Sequence, residues 1–133
     1  MTAESANRWG DFARYHLPML GFCAVILGVS SIPDLAAPQI RFLAVDKLAH
    51  FLQYAVLAFL TQRSFSHWSP GLKIRMAVLC SFVFVAVFAS LDELYQNLIP
   101  GRFADPYDLA VDLGGAWLVL AVRWYYSAKR SRR

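Results

Sequence analysis

The sequence predicts an all-α polytopic membrane protein, with four transmembrane helices in an antiparallel bundle. Of its 133 residues, 58% are hydrophobic and 17% are charged, and the mean hydropathy is +0.42. Soluble domains average about 45–50% apolar and about 25% charged residues. The apolar residues also fall into four blocks separated by short polar stretches. These observations exclude a disordered chain, a coiled coil and an ordinary cytosolic enzyme.

The first and third apolar blocks are the simplest to assign. Residues 15–32 carry no charge and are followed by Pro33, and residues 76–91 contain nothing more polar than cysteine and serine. A spanning helix needs about 17–25 residues, which the third block reaches by continuing through its polar end. A secretory signal is the alternative for the first block. The residues before it include Glu4 and Asp11 and form no compact basic region, which favours a membrane span.

The second and fourth blocks carry polar residues within the predicted helices. The second reaches spanning length only if Asp46, Lys47 and His50 lie inside the helix. The fourth is interrupted by Asp112 and closes with the aromatic run 124–126, which is typical of a membrane interface. No block alternates with period two, as a transmembrane barrel would require. We therefore predict one membrane domain over residues 1–133, with spans at about 15–32, 46–63, 74–99 and 108–126 and a basic tail at 127–133.

The distribution of lysine and arginine predicts the orientation. Four spans place both termini and the middle loop on one side, and the two remaining loops on the other. Ten basic residues fall on the first side: Arg8, Arg14, Arg63, Lys73, Arg75, Arg123, Lys129, Arg130, Arg132 and Arg133. Three fall on the second: Arg41, Lys47 and Arg102. Because cytoplasmic loops carry the excess of positive charge, we expect a multi-pass protein of the inner (plasma) membrane with cytoplasmic termini.

Neither the net charge nor the cysteines indicate another class of partner. The charge of +4 comes mostly from basic residues that flank the apolar blocks, so we expect membrane lipids as partners and no nucleic acid. Cys23 and Cys80 each lie inside an apolar block, where cysteine behaves as a small hydrophobic residue. Their separation gives no metal-ligand spacing. We assign no metal ligands and expect no cofactor.

The polar residues of the spans concentrate at one depth, near the predicted outer face. Asp92 follows sixteen apolar residues, about 24 Å of helix, in a hydrocarbon core about 30 Å thick. Spans two and four both enter from the outside, with residues 46–50 and 108–112 in their first turns. We expect the inner halves of the spans to be almost purely apolar. Since charged groups inside a membrane mark functional sites by default, the candidate ligand-binding residues are Asp46, Lys47, His50, Tyr54, Asp92, Glu93, Gln96, Arg102, Asp105, Asp108 and Asp112.

Helical spacing gives each of three spans one polar stripe. Residues three or four apart are neighbours on a helix surface, and a polar stripe in lipid must face another stripe or water. The spacing of four recurs in Asp46–His50–Tyr54, in Asp92–Gln96 and in Asp108–Asp112.

A structural interpretation stands beside each functional one. The Asp46–Lys47 pair and Asp108 would suit helix N-termini, where aspartate is favoured, and His50 would suit a hydrogen bond between helices. Glu93 would suit a buried ion pair with Lys47 or Arg102. Arg102 would bind a phosphate or carboxylate of a ligand, or Asp105 within the chain. These alternatives stay open at this point.

The order and spacing of these residues resemble the VanZ-like family of membrane proteins. The first signature is similar to Asp46-Lys47-x-x-His50-Phe51-x-x-Tyr54. The second is similar to Asp92-Glu93-x-x-Gln96, Pro100-Gly101-Arg102 and Asp105-x-x-Asp108, closed by Gly115. The resemblance covers about residues 46–120. Where the family pattern leads us to expect asparagine, this chain has Asp112, which adds a potential negative charge and offers no amide donor.

The resemblance implies a compact integral membrane protein of a family named for accessory, low-level resistance to the glycopeptide antibiotic teicoplanin. We favour a non-enzymatic cell-envelope protein, whose outer polar cluster binds a lipid-linked or cell-wall precursor headgroup. Arg102 and Lys47 would hold an anionic group, while Tyr54, Gln96 and the carboxylates would contact hydroxyls or amides.

The alternative is a membrane hydrolase or transferase that acts on a lipid headgroup, with Glu93 or His50 as the acid or base. A version of it uses a divalent metal held by histidine and carboxylates. No nucleophile motif, phosphate-binding loop or close pair of histidines favours an enzyme. Proton movement is disfavoured by the apolar inner halves, and a purely structural cluster is the remaining interpretation.

Overall fold

The computed structural model describes residues 3–33, 40–68 and 73–130, and in these ranges the chain forms five α-helices and no strand. They are α1 (Ala3–Tyr15), α2 (Leu17–Ser30), α3 (Ile40–Trp68), α4 (Ile74–Gln96) and α5 (Pro106–Arg130). The all-α prediction is confirmed. Residues 131–133, at the end of the predicted tail, lie outside the described residues.

The helix ends differ from the predicted spans. α1 was not predicted, because its sequence is amphipathic and too polar to be found by hydropathy. Pro18 lies in the first turn of α2, where a proline needs no backbone donor. Both α3 and α5 continue beyond the apolar blocks, so residues 127–130 of the predicted tail are helical.

α4 ends three residues before its predicted limit. The chain leaves the helix through turns at residues 97–101, which close at Gly101 with a φ of 75°. A residue with a side chain is strained in this left-handed conformation, which glycine adopts freely. The turn directs residues 102–105 back across the end of the bundle.

Contacts between helix ends define the directions of α2 to α5. Ser30 and Asp92, near the last turns of α2 and α4, share a hydrogen bond of 3.0 Å. His50 and Asp112, near the starts of α3 and α5, are also 3.0 Å apart. Tyr54, one turn after His50, donates to Asp92 at 3.0 Å and brings the two pairs together, so α2 and α4 run one way and α3 and α5 the other. We call the end where these residues lie the polar end.

The helices are more apolar on their outer faces than on their inner ones. In α4 the buried residues are small or polar: Ala77, Ser81, Val85, Ala89, Asp92, Glu93 and Gln96. The opposite face exposes large apolar side chains: Met76, Leu79, Val83, Val87, Leu91 and Leu94. A soluble bundle has the reverse arrangement. An apolar exterior around small and polar packing residues is typical of helices in lipid.

Two of the four predicted spans pass a test of length and hydropathy: Arg8–Ser30 and Ile74–Gln96. α5 does not, because Asp112 and Arg123 lower its mean hydropathy, and the described part of α3, which contains Gln62 and Arg63, does not either. The prediction of four spans is therefore supported only for these two segments.

α3 and α5 make the closest helix contact. A Cβ atom on Gly115 would overlap the Phe51 carbonyl oxygen and lie 3.1 Å from its carbonyl carbon. The neighbouring Gly114 is exposed, and a Cβ there would meet only the Phe51 ring, at 4.0 Å. Gly115 and the buried Ala116 therefore pack α5 against the bundle, and Gly114 does not.

Candidate functional site

The polar end contains all eleven of the candidate residues. Eight of them are buried: His50, Tyr54, Asp92, Glu93, Gln96, Arg102, Asp108 and Asp112. Asp46, Lys47 and Asp105 are half-buried. α3, α4, α5 and the loop between α4 and α5 each contribute, so segments that are distant in sequence converge on one site.

Asp92 joins three helices through one carboxylate oxygen. Its Oδ2 accepts hydrogen bonds from Ser30 Oγ and Tyr54 OH, each at 3.0 Å, and from Gln96 Nε2 at 3.2 Å. Gln96 Nε2 also donates to Ser30 Oγ at 3.2 Å. Sequence reasoning did not identify Ser30, because an isolated serine in an apolar block gives no spacing signal. The Asp92 network therefore fixes α2, α3 and α4 at the polar end.

Lys47 connects α3 to the loop and to the start of α5. Its Nζ donates to Asp105 Oδ2 at 2.8 Å and to Asp108 Oδ1. Asp105 Oδ1 accepts a hydrogen bond from the Tyr107 backbone N–H at 2.8 Å, so Asp105, not Asp108, satisfies a donor at the start of α5. The hydrogen bond from Lys47, reinforced by the Tyr107 amide, lowers the pKa of Asp105 below its ordinary value. Lys47 is thus already paired with two carboxylates.

His50, Glu93 and Asp112 form a buried group contributed by three helices. His50 Nδ1 and Asp112 Oδ1 share a hydrogen bond at 3.0 Å. Glu93 Oε2 accepts the backbone N–H of Asp105 at 2.9 Å. One potential ligand atom from each of the three residues lies within 4.8 Å of the other two. Asp46 and Asp108 form a second group of this kind around the same histidine.

Among the described side chains, Glu93 and Arg102 do not form the ion pairs that the sequence left open as alternatives. Glu93 binds the loop backbone and not Lys47 or Arg102. Arg102 NH2 donates to Gln96 Oε1 at 2.8 Å, and Asp105, its expected partner within the chain, pairs with Lys47. Lys47, which the sequence suggested for an anionic ligand, is paired with two carboxylates within the chain.

Several buried polar atoms at the polar end have no partner among the described residues: Asp92 Oδ1, Glu93 Oε1, Arg102 NH1 and Asp112 Oδ2. Buried polar groups are nearly always hydrogen-bonded. Among its described side chains, the polar end carries six carboxyl groups and two permanent cations, Lys47 and Arg102. It is therefore a partly unsatisfied and strongly acidic site.

Comparison with known proteins places the chain in a family. The VanZ/LLP1 family model matches residues 4–126, nearly the whole chain. The chain belongs to the VanZ/LLP1 family. This confirms the resemblance carried by the polar residues and extends it to α1 and α2. No curated protein and no solved structure matches the chain.

Membership of the VanZ/LLP1 family, together with the two long apolar segments, identifies a membrane protein. The family match includes α1 and α2, which lie outside the residues that carried the resemblance. α2 supplies Ser30 to the Asp92 network. The serine that follows it also reaches α4, since Ser31 Oγ and Tyr95 OH lie 2.8 Å apart.

The opposite end of this VanZ/LLP1 protein is less apolar than expected. Thr61, Gln62 and Ser64 on α3 are buried there. His16 Nδ1 lies 2.7 Å from Ser64 Oγ, and the His67 ring stacks on Tyr15 at 3.8 Å between centroids. The prediction that the inner halves are almost purely apolar therefore fails for α3. These side chains are short, aromatic or uncharged, and a pattern search for acidic stripes does not detect them.

Proposed function

We propose that this VanZ/LLP1 protein spans the membrane four times and binds the headgroup of a lipid-linked cell-wall precursor at its polar end. It would do so without chemical turnover and thereby change susceptibility to teicoplanin. The observation that carries the proposal is the set of four buried polar atoms without a partner among the described residues at the polar end, on Asp92, Glu93, Arg102 and Asp112, in a bundle with an apolar exterior.

The outer faces of α3 and α5 support four spans. α3 exposes Val45, Leu48, Leu52, Val56 and Phe59, and α5 exposes Trp117, Leu118 and Val122. The polar residues that lower the hydropathy of these helices lie mainly on their inner faces. An average over a whole helix does not separate the two faces, whereas lipid contacts only the outer one. The excess of lysine and arginine at both termini and the middle loop favours a cytoplasmic location for them.

The chemistry of the polar end suits a headgroup rich in hydroxyl and amide groups. Asp92 Oδ1 would accept a hydrogen bond from a sugar hydroxyl or a peptide amide. Arg102 NH1 would donate to a phosphate or carboxylate. A headgroup that satisfies these atoms would remove the penalty of leaving them buried and unpaired.

Antibiotic susceptibility tests the proposal in cells. We expect wild type to raise the teicoplanin concentration that inhibits a sensitive host, and Arg102→Ala and Glu93→Gln to abolish that effect at equal membrane abundance. Arg130→Ala and Asp11→Asn remove the same charges away from the polar end and serve as matched controls. Normal accumulation of all the variants with unchanged resistance would contradict a role for the polar end.

Direct binding tests the proposal in a purified system. The full chain in lipid nanodiscs should gain thermal stability on addition of a lipid-linked cell-wall precursor, and Arg102→Ala should remove that gain. A ligand that binds only the folded protein raises its melting temperature, by an amount that grows with the logarithm of the ligand concentration above Kd. No shift with any precursor would exclude this ligand class.

One observation favours an enzyme as the second candidate. The hydrogen bond between His50 and Asp112 orients an imidazole beside Glu93, as acid–base catalysis requires. Mass spectrometry of the lipid would measure conversion of the precursor. Conversion by wild type but not by His50→Gln would favour this alternative over binding alone.

A further inference from the structure

The group of His50, Glu93 and Asp112 has the composition of a metal site. Each residue comes from a different helix, and their exposed fractions are 9%, 6% and 1%. One potential ligand atom of each lies within 4.8 Å of the others. Packing in α3, α4 and α5 therefore holds an imidazole and two carboxylates together in a buried volume.

A second observation points to a missing ligand. Glu93 Oε1 and Asp112 Oδ2 are buried and have no hydrogen-bond partner in the described part of the chain. An unpaired buried carboxylate oxygen is expensive, and metal coordination is one of the few ways to satisfy it. This observation is independent of the mere clustering of acidic residues.

The neighbouring cations do not neutralise this group. Lys47 is paired with Asp105 and Asp108, and Arg102 donates to Gln96. Two close carboxylates that lack a permanent cation repel each other in a buried site. A divalent ion would provide the missing positive charge.

We propose that His50, Glu93 and Asp112 form a divalent-cation site in the polar end. His50 Nδ1 and Asp112 Oδ1 are 3.0 Å apart, about the separation of adjacent ligands on an ion with bonds of about 2.1 Å. The cation would replace the proton that these atoms share. Imidazole favours Zn²⁺, and carboxylates favour Mn²⁺ and Mg²⁺. The mixed set therefore suits Mn²⁺ or Zn²⁺.

The cation gives the acidic polar end a way to hold an anion. In the presence of a divalent ion, a phosphate oxygen of the headgroup would complete the coordination shell beside Arg102. This role rests on the proposed function, whereas the cation site itself does not. The two are therefore tested separately.

Metal binding is tested with Mn²⁺ alone and the full chain in detergent. After treatment with chelator, wild type should bind one Mn²⁺ per chain, measured by elemental analysis and by the spectrum of free Mn²⁺. Glu93→Gln and Asp112→Asn should each weaken binding by at least about tenfold. Asp11→Asn, an acidic residue at the opposite end, should bind as wild type does. Zn²⁺ competition should displace the bound Mn²⁺.

Two results would overturn the site: no stoichiometric Mn²⁺ or Zn²⁺ on wild type, or binding that is unchanged in both variants. Should the variants fail to fold, wild type with Co²⁺ replaces them. Its visible absorption reports coordination, and bound Co²⁺ should protect His50 from acylation, measured by mass spectrometry of the peptide that contains it. Modification of His50 at the same rate with and without Co²⁺ would count against the site.

A comparison with and without chelator separates this inference from the proposed function. If the protein binds Mn²⁺ but does not bind the lipid-linked precursor, the cation site is supported and the proposed function is contradicted. If the protein binds the precursor in EDTA and binds no metal, the proposed function is supported and the cation site is contradicted.

Discussion

Asp92 concentrates three hydrogen bonds on one oxygen, which makes its donors individually testable. Tyr54 is completely buried and its hydroxyl has Asp92 as its partner. Tyr54→Phe removes that donor and leaves the ring in place. We expect the free energy of unfolding to fall by about 0.5–2 kcal/mol, measured by denaturant unfolding in detergent.

Tyr125→Phe is the matched control for Tyr54. Tyr125 is exposed near the end of α5 and makes an edge contact with the Tyr126 ring. Its substitution should leave the unfolding free energy within about 0.5 kcal/mol of wild type. An equal loss in both variants would mean that the Asp92 hydrogen bond contributes nothing specific.

Lys47 controls the ionisation of Asp105 in the loop. Because Lys47 lowers the pKa of this carboxyl, Lys47→Met should raise it towards its ordinary value of 3.8. A ¹³C NMR titration of the Asp105 carboxyl measures the change. The stabilisation it reports is present above the unfolded pKa and is lost as the pH falls through the lower folded pKa.

Lys73→Met separates this local effect from a general loss of charge. Lys73 precedes α4 and is exposed. Its removal should leave the Asp105 titration unchanged. An Asp105 midpoint that stays low in Lys47→Met would show that the Tyr107 amide alone is sufficient.

The individual residues of the polar end were predictable, but their partners were not. Spacing within a helix places Asp46, His50 and Tyr54 on one stripe, which needs only the helical repeat. Pairing between helices depends on their axial positions and on the path of the loop. The bond from the Asp105 backbone to Glu93 could not be predicted for that reason.

At the level of elements, the packing of α3 on α5 depends on a single missing side chain. Gly115→Ala would force a Cβ atom into the carbonyl group of Phe51. Because this group belongs to the α3 backbone, it cannot rotate out of the contact as a side chain could. We expect this substitution to lower the unfolding free energy by about 1–3 kcal/mol and to reduce the melting temperature in detergent.

Gly114→Ala is the control at the adjacent position. Its Cβ would meet only the Phe51 ring at ordinary van der Waals distance. Since alanine favours a helix over glycine by up to about 1 kcal/mol, this variant should be neutral or slightly more stable. Equal destabilisation of the two variants would refute the close α3–α5 contact.

The number of helices in the apolar blocks was predictable, but their lengths were not. Hydropathy marks where lipid-facing residues occur, so it found α2 and the body of α3, α4 and α5. The polar ends of α3 and α5 continue as helix because backbone hydrogen bonding does not stop at the edge of an apolar run. α1 lacks such a run entirely, and its short amphipathic pattern was not recognised.

On the scale of the whole molecule, the sidedness of the polar end can be measured. Phe103 is 82% exposed in the loop between α4 and α5, and Lys129 is exposed near the end of α5. In a background with Cys23→Ser and Cys80→Ser, an impermeant maleimide added to intact cells should label Phe103→Cys and not Lys129→Cys. Opening the cells should label both.

The reverse labelling pattern would invert the proposed topology. Labelling of both positions in intact cells would contradict a membrane crossing by α5, the single helix that separates them. The parent protein without introduced cysteine gives the background signal in each case.

The separation in sequence between α3 and its polar partners has a consequence for synthesis. Asp112, the partner of His50, is synthesised 62 residues after it, and Asp108, a partner of Lys47, is synthesised 61 residues after it. At about 5–20 residues per second, this delay is about 3–12 s. During that time the start of α3 has left the ribosome without its counter-charges, so a nascent chain that is released slowly is a natural substrate for the insertion machinery and for quality-control proteases.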